Sequence, residues 1–174
     1  MDKSEKIANT LIEFLELQPD TDKIIYLRRS DYGGLVTELS DDRKHLGQFY
    51  MLKKDESNQF YFMLGYPAAF LAKLYLATKN QKYLKAAKWY LDTALSCNSQ
   101  MYRSHFSHKI AWAAAWLGNI TGEEKYKMAA KKIAEFLCTL QNENGLFLGD
   151  ADVLDKYDQS GEISIWLKEI SGLI

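Results

Sequence analysis

Two stretches of this chain are copies of one another, and nothing else in it restricts the possible folds as much. Ala68–Ser96 reads AAFLAKLYLATKNQKYLKAAKWYLDTALS, and Ala111–Thr139 reads AWAAAWLGNITGEEKYKMAAKKIAEFLCT. Displaced by 43 positions, they match at Ala68/Ala111, Ala72/Ala115, Leu74/Leu117, Thr78/Thr121, Lys82/Lys125, Tyr83/Tyr126 and through the Ala-Ala-Lys runs at 86–88 and 129–131. A fixed offset with matched turn residues marks a repeat architecture, in which one supersecondary unit is stacked on the next.

The two halves of each copy differ. Ala68–Ala77 carries one charge, Lys73, and Ile110–Ile120 carries none; a helix apolar all round is buried all round. In the second halves, Tyr83, Leu84, Ala86, Ala87, Tyr90, Leu91 and Ala94 share a stripe, with Lys82, Lys85, Lys88 and Asp92 mostly opposite. Tyr126, Ala129, Ala130, Ile133 and Phe136 repeat that stripe against Lys127, Lys131 and Glu135. Each copy is therefore expected to be a hairpin of a buried inner helix followed by an outer helix with one wet face. Between the two, Thr78-Lys-Asn-Gln81 and Thr121-Gly-Glu-Glu124 fit the capping box, in which a hydroxyl and a Gln or Glu side chain satisfy free amides at a helix start.

The flanks extend this pattern. Ser4–Leu17 has the helical period of an outer-type helix, stopped by Pro19-Asp20. Residues 20–63 change character: Ile24–Leu27 is β-prone, Asp31–Gly34 signals a turn, and Leu35–Leu39 is placed to return as a strand. Gln48–Leu52 and Gln59–Met63 flank the polar KKDESN as an aromatic hairpin, or else the second run opens the first inner helix. Pro67 suits a first helical turn, where its missing N–H has no partner to lose. Asn98–Ser107 and Gln141–Asp158 are expected as loops. The second holds Asn144-Gly145 and Asp150, Asp152, Asp155 and Asp158, without the glycine and terminal glutamate of a calcium loop. Gln159–Ile170 reads as a third inner helix through Ile163, Ile165, Trp166 and Ile170. Its outer partner would be helix 4–18 by ring closure, a second subunit, or further hairpins of a longer ancestor.

At 174 residues the chain suits one domain, 1–174, burying roughly 70% of its unfolded surface. A net charge of −1, with lysines spread over the outer helices, shows no basic stripe for nucleic acid. No apolar run reaches the roughly 18 residues of a membrane span, and MDKSEK lacks a signal-peptide core. Cys97 and Cys138 are too few for a disulfide scaffold and have no metal-type partner nearby in sequence. The expectation is a reduced, cytoplasmic chain with no membrane or nucleic-acid partner and no cofactor.

Leu74–Leu95 resembles the hairpins of the α/α-toroid superfamily. That group includes the six-hairpin glycosidases, such as unsaturated glucuronyl hydrolases, and the sugar epimerases. The resemblance rests on Lys82-Tyr83-Leu84-x-x-Ala87 and again on Lys125-Tyr126-x-x-x-Ala130. Gln141-Asn-Glu-Asn-Gly145-Leu-Phe147 is similar to the loop after an outer helix in the same families, and faintly to the repeat of terpenoid cyclases. It covers about half the chain. The aspartate motifs of the cyclases are missing, since Asp41-Asp42 is followed by Arg43-Lys44-His45. The resemblance implies a ring of inner helices whose N-terminal ends surround a cavity. A full ring has six hairpins and this chain about three. The expected fold is all-α, a partial α/α-toroid of helical hairpins with a small β-hairpin excursion near residues 24–63.

On such a fold, polar residues just before the inner helices converge: Tyr61, Gly65 and Tyr66; Tyr102 to His108; and Asp158 to Glu162. His105, His108 and Glu162 are then the candidate acids and bases, because imidazole titrates near neutrality and burial can tune a carboxylate towards it. Arg103 would hold an anionic group, Tyr66 would orient the substrate, and Asp158, Gln159 and Trp112 would line its site, Asp158 doubling as a helix N-cap. His105 and His108 are spaced like two metal ligands, but no third ligand accompanies them, so no metal is expected. Trp112, Trp116 and Trp166 are core residues that could stack on a ligand at a cavity mouth. The expected function is a small-molecule enzyme. It would run acid–base lyase, isomerase or hydrolase chemistry on a sugar derivative or a polycyclic or polyketide-like metabolite. The alternative is a non-catalytic helical-repeat interaction module, or a partner subunit. A homodimer or partner subunit that completes the ring would hide helix 159–170.

Overall fold

The structure is a computed structural model that describes residues 2–148 and 152–174, so Asp150 of the acidic run lies outside the described residues. The fold is all-α with one small two-stranded antiparallel sheet, as the sequence predicts. In chain order the elements are α1 (Lys3–Glu16), β1 (Ile24–Tyr26), β2 (Met51–Lys53), α2 (Gly65–Thr78), α3 (Gln81–Leu95), α4 (His108–Thr121), α5 (Glu124–Cys138) and α6 (Val153–Ser171). The repeat is written into their ends. The bounds of α2 and α4 differ by 43 residues at each end, and so do those of α3 and α5.

The inner layer is α2, α4 and α6, with α3 and α5 packed behind it and α1 against α2 and α3. α4 is buried from His108 through Ala115 and again at Leu117 and Gly118. The outer helices bury most of the stripes expected of them, Tyr83, Ala86, Ala87, Tyr90, Leu91 and Ala94 on α3 and Tyr126, Ala129, Ala130 and Ile133 on α5, where Leu137 is buried and Phe136 only half-buried. Tight contact between the layers depends on small residues. A Cβ on Gly65 would lie 2.7 Å from the carbonyl carbon and oxygen of Lys109, so only glycine lets α2 come this close to α4. Gly118 does the same for α5, where a Cβ would lie 2.8 Å from Lys127 Cγ. On the far edge, the Tyr90 hydroxyl donates to the Leu11 carbonyl at 2.9 Å and ties α1 to α3.

Several local expectations are corrected. Thr78 and Thr121 end their inner helices rather than capping the outer ones. Each hydroxyl donates back to the carbonyl four residues earlier, at 2.8 Å to Leu74 and 2.7 Å to Leu117, and accepts from the amide two residues on. The cause is the next residue: Lys79 and Gly122 take left-handed φ values of 58° and 72° and close the helix there. Asn80 then caps α3, its side chain accepting from the Lys82 amide.

The strand pairing also differs. β1 pairs with β2, in the register Ile24↔Lys53, Ile25↔Leu52 and Tyr26↔Met51, and not with Leu35–Leu39. That stretch contributes one isolated bridge, Arg29↔Leu35, and the chain from Asp41 to Phe49 winds as 3-10 helix. The run Gln59–Met63 forms no hairpin. Tyr61 is buried with its hydroxyl on the Glu56 carbonyl at 2.7 Å, and Tyr61–Leu64 turns directly into α2. Finally, α6 starts six residues earlier than expected. Asp152 is its cap, accepting from the amides of Leu154 and Asp155, so Asp155 and Asp158 lie within the helix and Asp158 caps nothing. Among the described residues, no helix is long and apolar enough to cross a membrane.

Candidate functional site

The repeat places Tyr66 on α2 and Lys109 on α4 at corresponding positions, and Glu162 from the middle of α6 lies level with them, so that the three side chains meet. Lys109 Nζ donates to Glu162 Oε2 at 2.8 Å, and the Tyr66 hydroxyl donates to Glu162 Oε1 at 3.3 Å. His108 stands behind them. Its Nδ1 is 2.6 Å from the His105 carbonyl, its Nε2 is 3.0 Å from Lys109 Nζ, and Nε2 is 3.2 Å from Glu162 Oε2. Facing a carbonyl, Nδ1 must carry the hydrogen, which leaves Nε2 as the acceptor for the ammonium. The rings of Phe62, Tyr66 and Phe106 surround that ammonium with centroids at 5.3, 5.4 and 5.3 Å, close enough for cation–π attraction.

Burial sets the roles. His108 is 0% and Lys109 4% exposed, whereas the Glu162 carboxylate is 31% exposed and Tyr66 41%. Burial holds the His108 imidazole below its ordinary value, and the neighbouring Lys109 charge adds to this against the opposing His105 carbonyl. Burial pushes the Glu162 carboxyl up, but the bond and charge of Lys109, and then His108, outweigh it and leave the group below the usual carboxylate range. The Tyr66 phenol is pushed up to about 12, by burial first and by the Glu162 charge second. At neutral pH the cluster is therefore a carboxylate between an intact phenol and a buried ammonium.

One heptad further along each helix lies a second layer: Lys73 on α2, Trp116 on α4 and Glu169 on α6. Trp116 Nε1 donates to Glu169 Oε1 at 2.9 Å and Lys73 Nζ to the same oxygen at 3.3 Å. Lys73 Nζ also lies 4.9 Å from the ring centroids of both Trp112 and Trp116. Trp112 packs on Trp166 of α6 with centroids 4.1 Å apart. Since Tyr66 meets Glu162 and Lys73 meets Glu169, equal steps along α2 and α6 stay in register, and the inner helices run parallel with their N-termini at one end.

The predicted site residues divide into two places. His108, Glu162 and Tyr66 come together as described, with Trp112 one turn along α4. Asp158 is exposed on α6 and accepts from Gln159 Nε2 at 3.0 Å. Arg103 and His105 instead line a separate cleft of about 470 Å³ with Gln48, Gln59, Gln100 and Phe60. The His105 ring is held below its ordinary value by burial first and Lys109 second, with Asp155 opposing. Two members of the site were not expected. Lys109 was passed over, although a lysine just before an uncharged eleven-residue run (Ile110–Ile120) and in register with Tyr66 is a signal in the repeat itself. Glu169 was missed because its meaning depends on the pairing of α6 with α4. Among the described residues, no three His, Cys, Asp or Glu side chains are grouped to hold a metal ion. No protein-family model, curated protein or solved structure matches this chain, so the inner face itself carries the functional reading.

Proposed function

We propose that the inner face of α2, α4 and α6 binds a small molecule and runs acid–base chemistry on it, with Glu162 as the base and Tyr66 as the acid. The observation that carries this is the Glu162 carboxylate, ionised and near the surface, beside a phenol and anchored from behind by buried Lys109 and His108. A substrate proton passes to a Glu162 oxygen while the Tyr66 hydroxyl donates to the oxygen on which charge develops. Lys109 and His108 act as positioning residues, because their burial keeps them from the ligand. Trp116 and its neighbours offer aromatic faces for a ring-shaped substrate. The neighbouring N-termini of α2 and α4 favour an anionic group on it. These features support a sugar derivative or a polycyclic or polyketide-like acid as the substrate, with isomerase, lyase or hydrolase chemistry. The same reading keeps the α/α-toroid resemblance and a subunit that completes the ring. It also keeps a cytoplasmic setting in which Cys97 and Cys138 stay free thiols.

A thermal-shift screen against uronic acids, amino sugars, phosphosugars, isoprenoids and polyketide-like acids tests this. A ligand at about 100 times its Kd adds roughly 2.7 kcal/mol. For a chain of this size that is on the order of 5–10 °C. A hit from one class, converted by the native protein and bound but unconverted by Glu162→Gln, is the expected result. A flat screen on well-folded protein removes the enzyme reading and leaves the repeat-module alternative, which the exposed apolar flank of α6 favours.

A further inference from the structure

Gly65 on α2 and Gly161 on α6 each come one residue before a side chain of the cluster, Tyr66 and Glu162. At Gly65 the next inner helix fills the space: a Cβ there would meet Lys109 backbone atoms at 2.7 Å and Ile110 N at 2.9 Å. At Gly161 nothing lies within 4 Å. The helix face around it is apolar and open, with Leu154 83%, Tyr157 63% and Ile165 62% exposed at helical spacing from the glycine. In the outer layer, Met128 and Ile174 edge a cleft of about 910 Å³ between α5 and α6, with Ala134, Leu167 and Ile170 also lining it. This end of the stack thus presents apolar surface on the open face of α6 and, beside Glu124, Lys127, Lys131 and Glu135, in the α5–α6 cleft, as an interaction site would.

We propose that a second copy of this chain docks on that flank, its α2 against Gly161 and its α1 in the α5–α6 cleft. Three observations favour a second copy. The side of α2 turned away from Gly65 carries Pro67, Phe70 and Leu74, with Met63 in the turn just before it, all apolar and only half-buried. α1 packs beside α2 as an outer helix and leaves Ile7 54% exposed, so both helices arrive as one unit. The charges also complement each other. α1 and its cap residue Asp2 carry four carboxylates and two lysines, and α5 carries four lysines and two glutamates. A two-fold axis parallel to the inner helices makes the same contact at both ends and closes a ring of two chains. That ring holds two copies of α2, α4 and α6 inside and two of α1, α3 and α5 outside.

The proposal rests on the repeat and its toroid reading, not on the chemistry at Glu162, so the oligomeric state tests it independently of any ligand. Sedimentation equilibrium of the purified chain at tens of micromolar should give twice the chain mass. The double variant Leu154→Asp/Ile165→Asp should give the single mass with unchanged helical circular dichroism, since both residues are solvent-exposed in one copy. A native chain that stays monomeric, or an aspartate variant that stays dimeric, overturns the proposal. In a Cys138→Ser background, Ile165→Cys with Phe70→Cys should form an interchain disulfide on oxidation. Cross-linking by Ile165→Cys alone would place α6 against α6 and overturn the arrangement.

Discussion

At the scale of single residues, the cluster is held by the pairing of one buried cation with one half-exposed anion. Removing Glu162 leaves Lys109 buried without its counter-charge. Glu162→Ala is therefore expected to cost about 3 kcal/mol in urea unfolding, and Glu162→Gln distinctly less because the amide oxygen still accepts from the ammonium. The same pair fixes the pH profile of any activity. Glu162 is held below 4.5, its ordinary value, so its basic form persists into acid, and the acidic limb of kcat/KM should fall below the normal carboxylate range. In Lys109→Met that limb should move up towards it, which a pH–rate series would read directly. About half of this site was legible in the sequence. His108 and Tyr66 stand out as polar residues at the mouths of apolar helices, and Glu162 as a carboxylate among apolar neighbours, although it lies in the middle of α6. Lys109 stands at such a mouth too, in register with Tyr66, but its role depends on a carboxylate and rings that converge on it from other elements. Arg103 and His105 are close to His108 in sequence, but the turn at 104–107 sends their side chains into a different cleft.

At the scale of elements, the contacts between helices depend on where the backbone can approach. Gly65→Ala forces a Cβ into the Lys109 backbone, which cannot yield as a side-chain tip would, and should cost about 1–3 kcal/mol in chemical denaturation. Gly161→Ala, one residue before Glu162 on α6 but with open space around it, should stabilise the dilute protein by about 0.5–1 kcal/mol through helix propensity alone. The opposite signs of these two substitutions would be a sharp check on the helix packing. The apolar period of α3 and α5 and the all-apolar run of α4 were legible because their patterns are local. The start of α6 was not, because Asp152 caps it from within an acidic stretch that resembles a loop. The strand pairing was also hidden, because the register of β1 with β2 is set across an intervening 3-10 segment rather than by an adjacent turn.

At the scale of the molecule, the buried titrating groups make the fold sensitive to acid. Burial keeps His108 below 6.5, so the unfolded chain takes up a proton there that the folded chain resists, and stability is lost as pH falls below that value. Glu162 adds to this lower down. Its folded pKa is depressed, so its contribution is complete above 4.5 and disappears as pH falls through the folded value. Melting temperature should therefore decline from pH 7 towards pH 4. His108→Gln should flatten the upper part of that decline, whatever its effect at neutral pH.

The recurrence of one 43-residue step between α2–α3 and α4–α5, with a glycine contact joining α2 to α4, has an evolutionary consequence. The two hairpins present corresponding surfaces, so the repeat does not itself specify how many units there should be. A further hairpin spliced in after α3 would find its contacts already provided on both sides. Such a gene could grow or shrink by whole units without inventing a new interface.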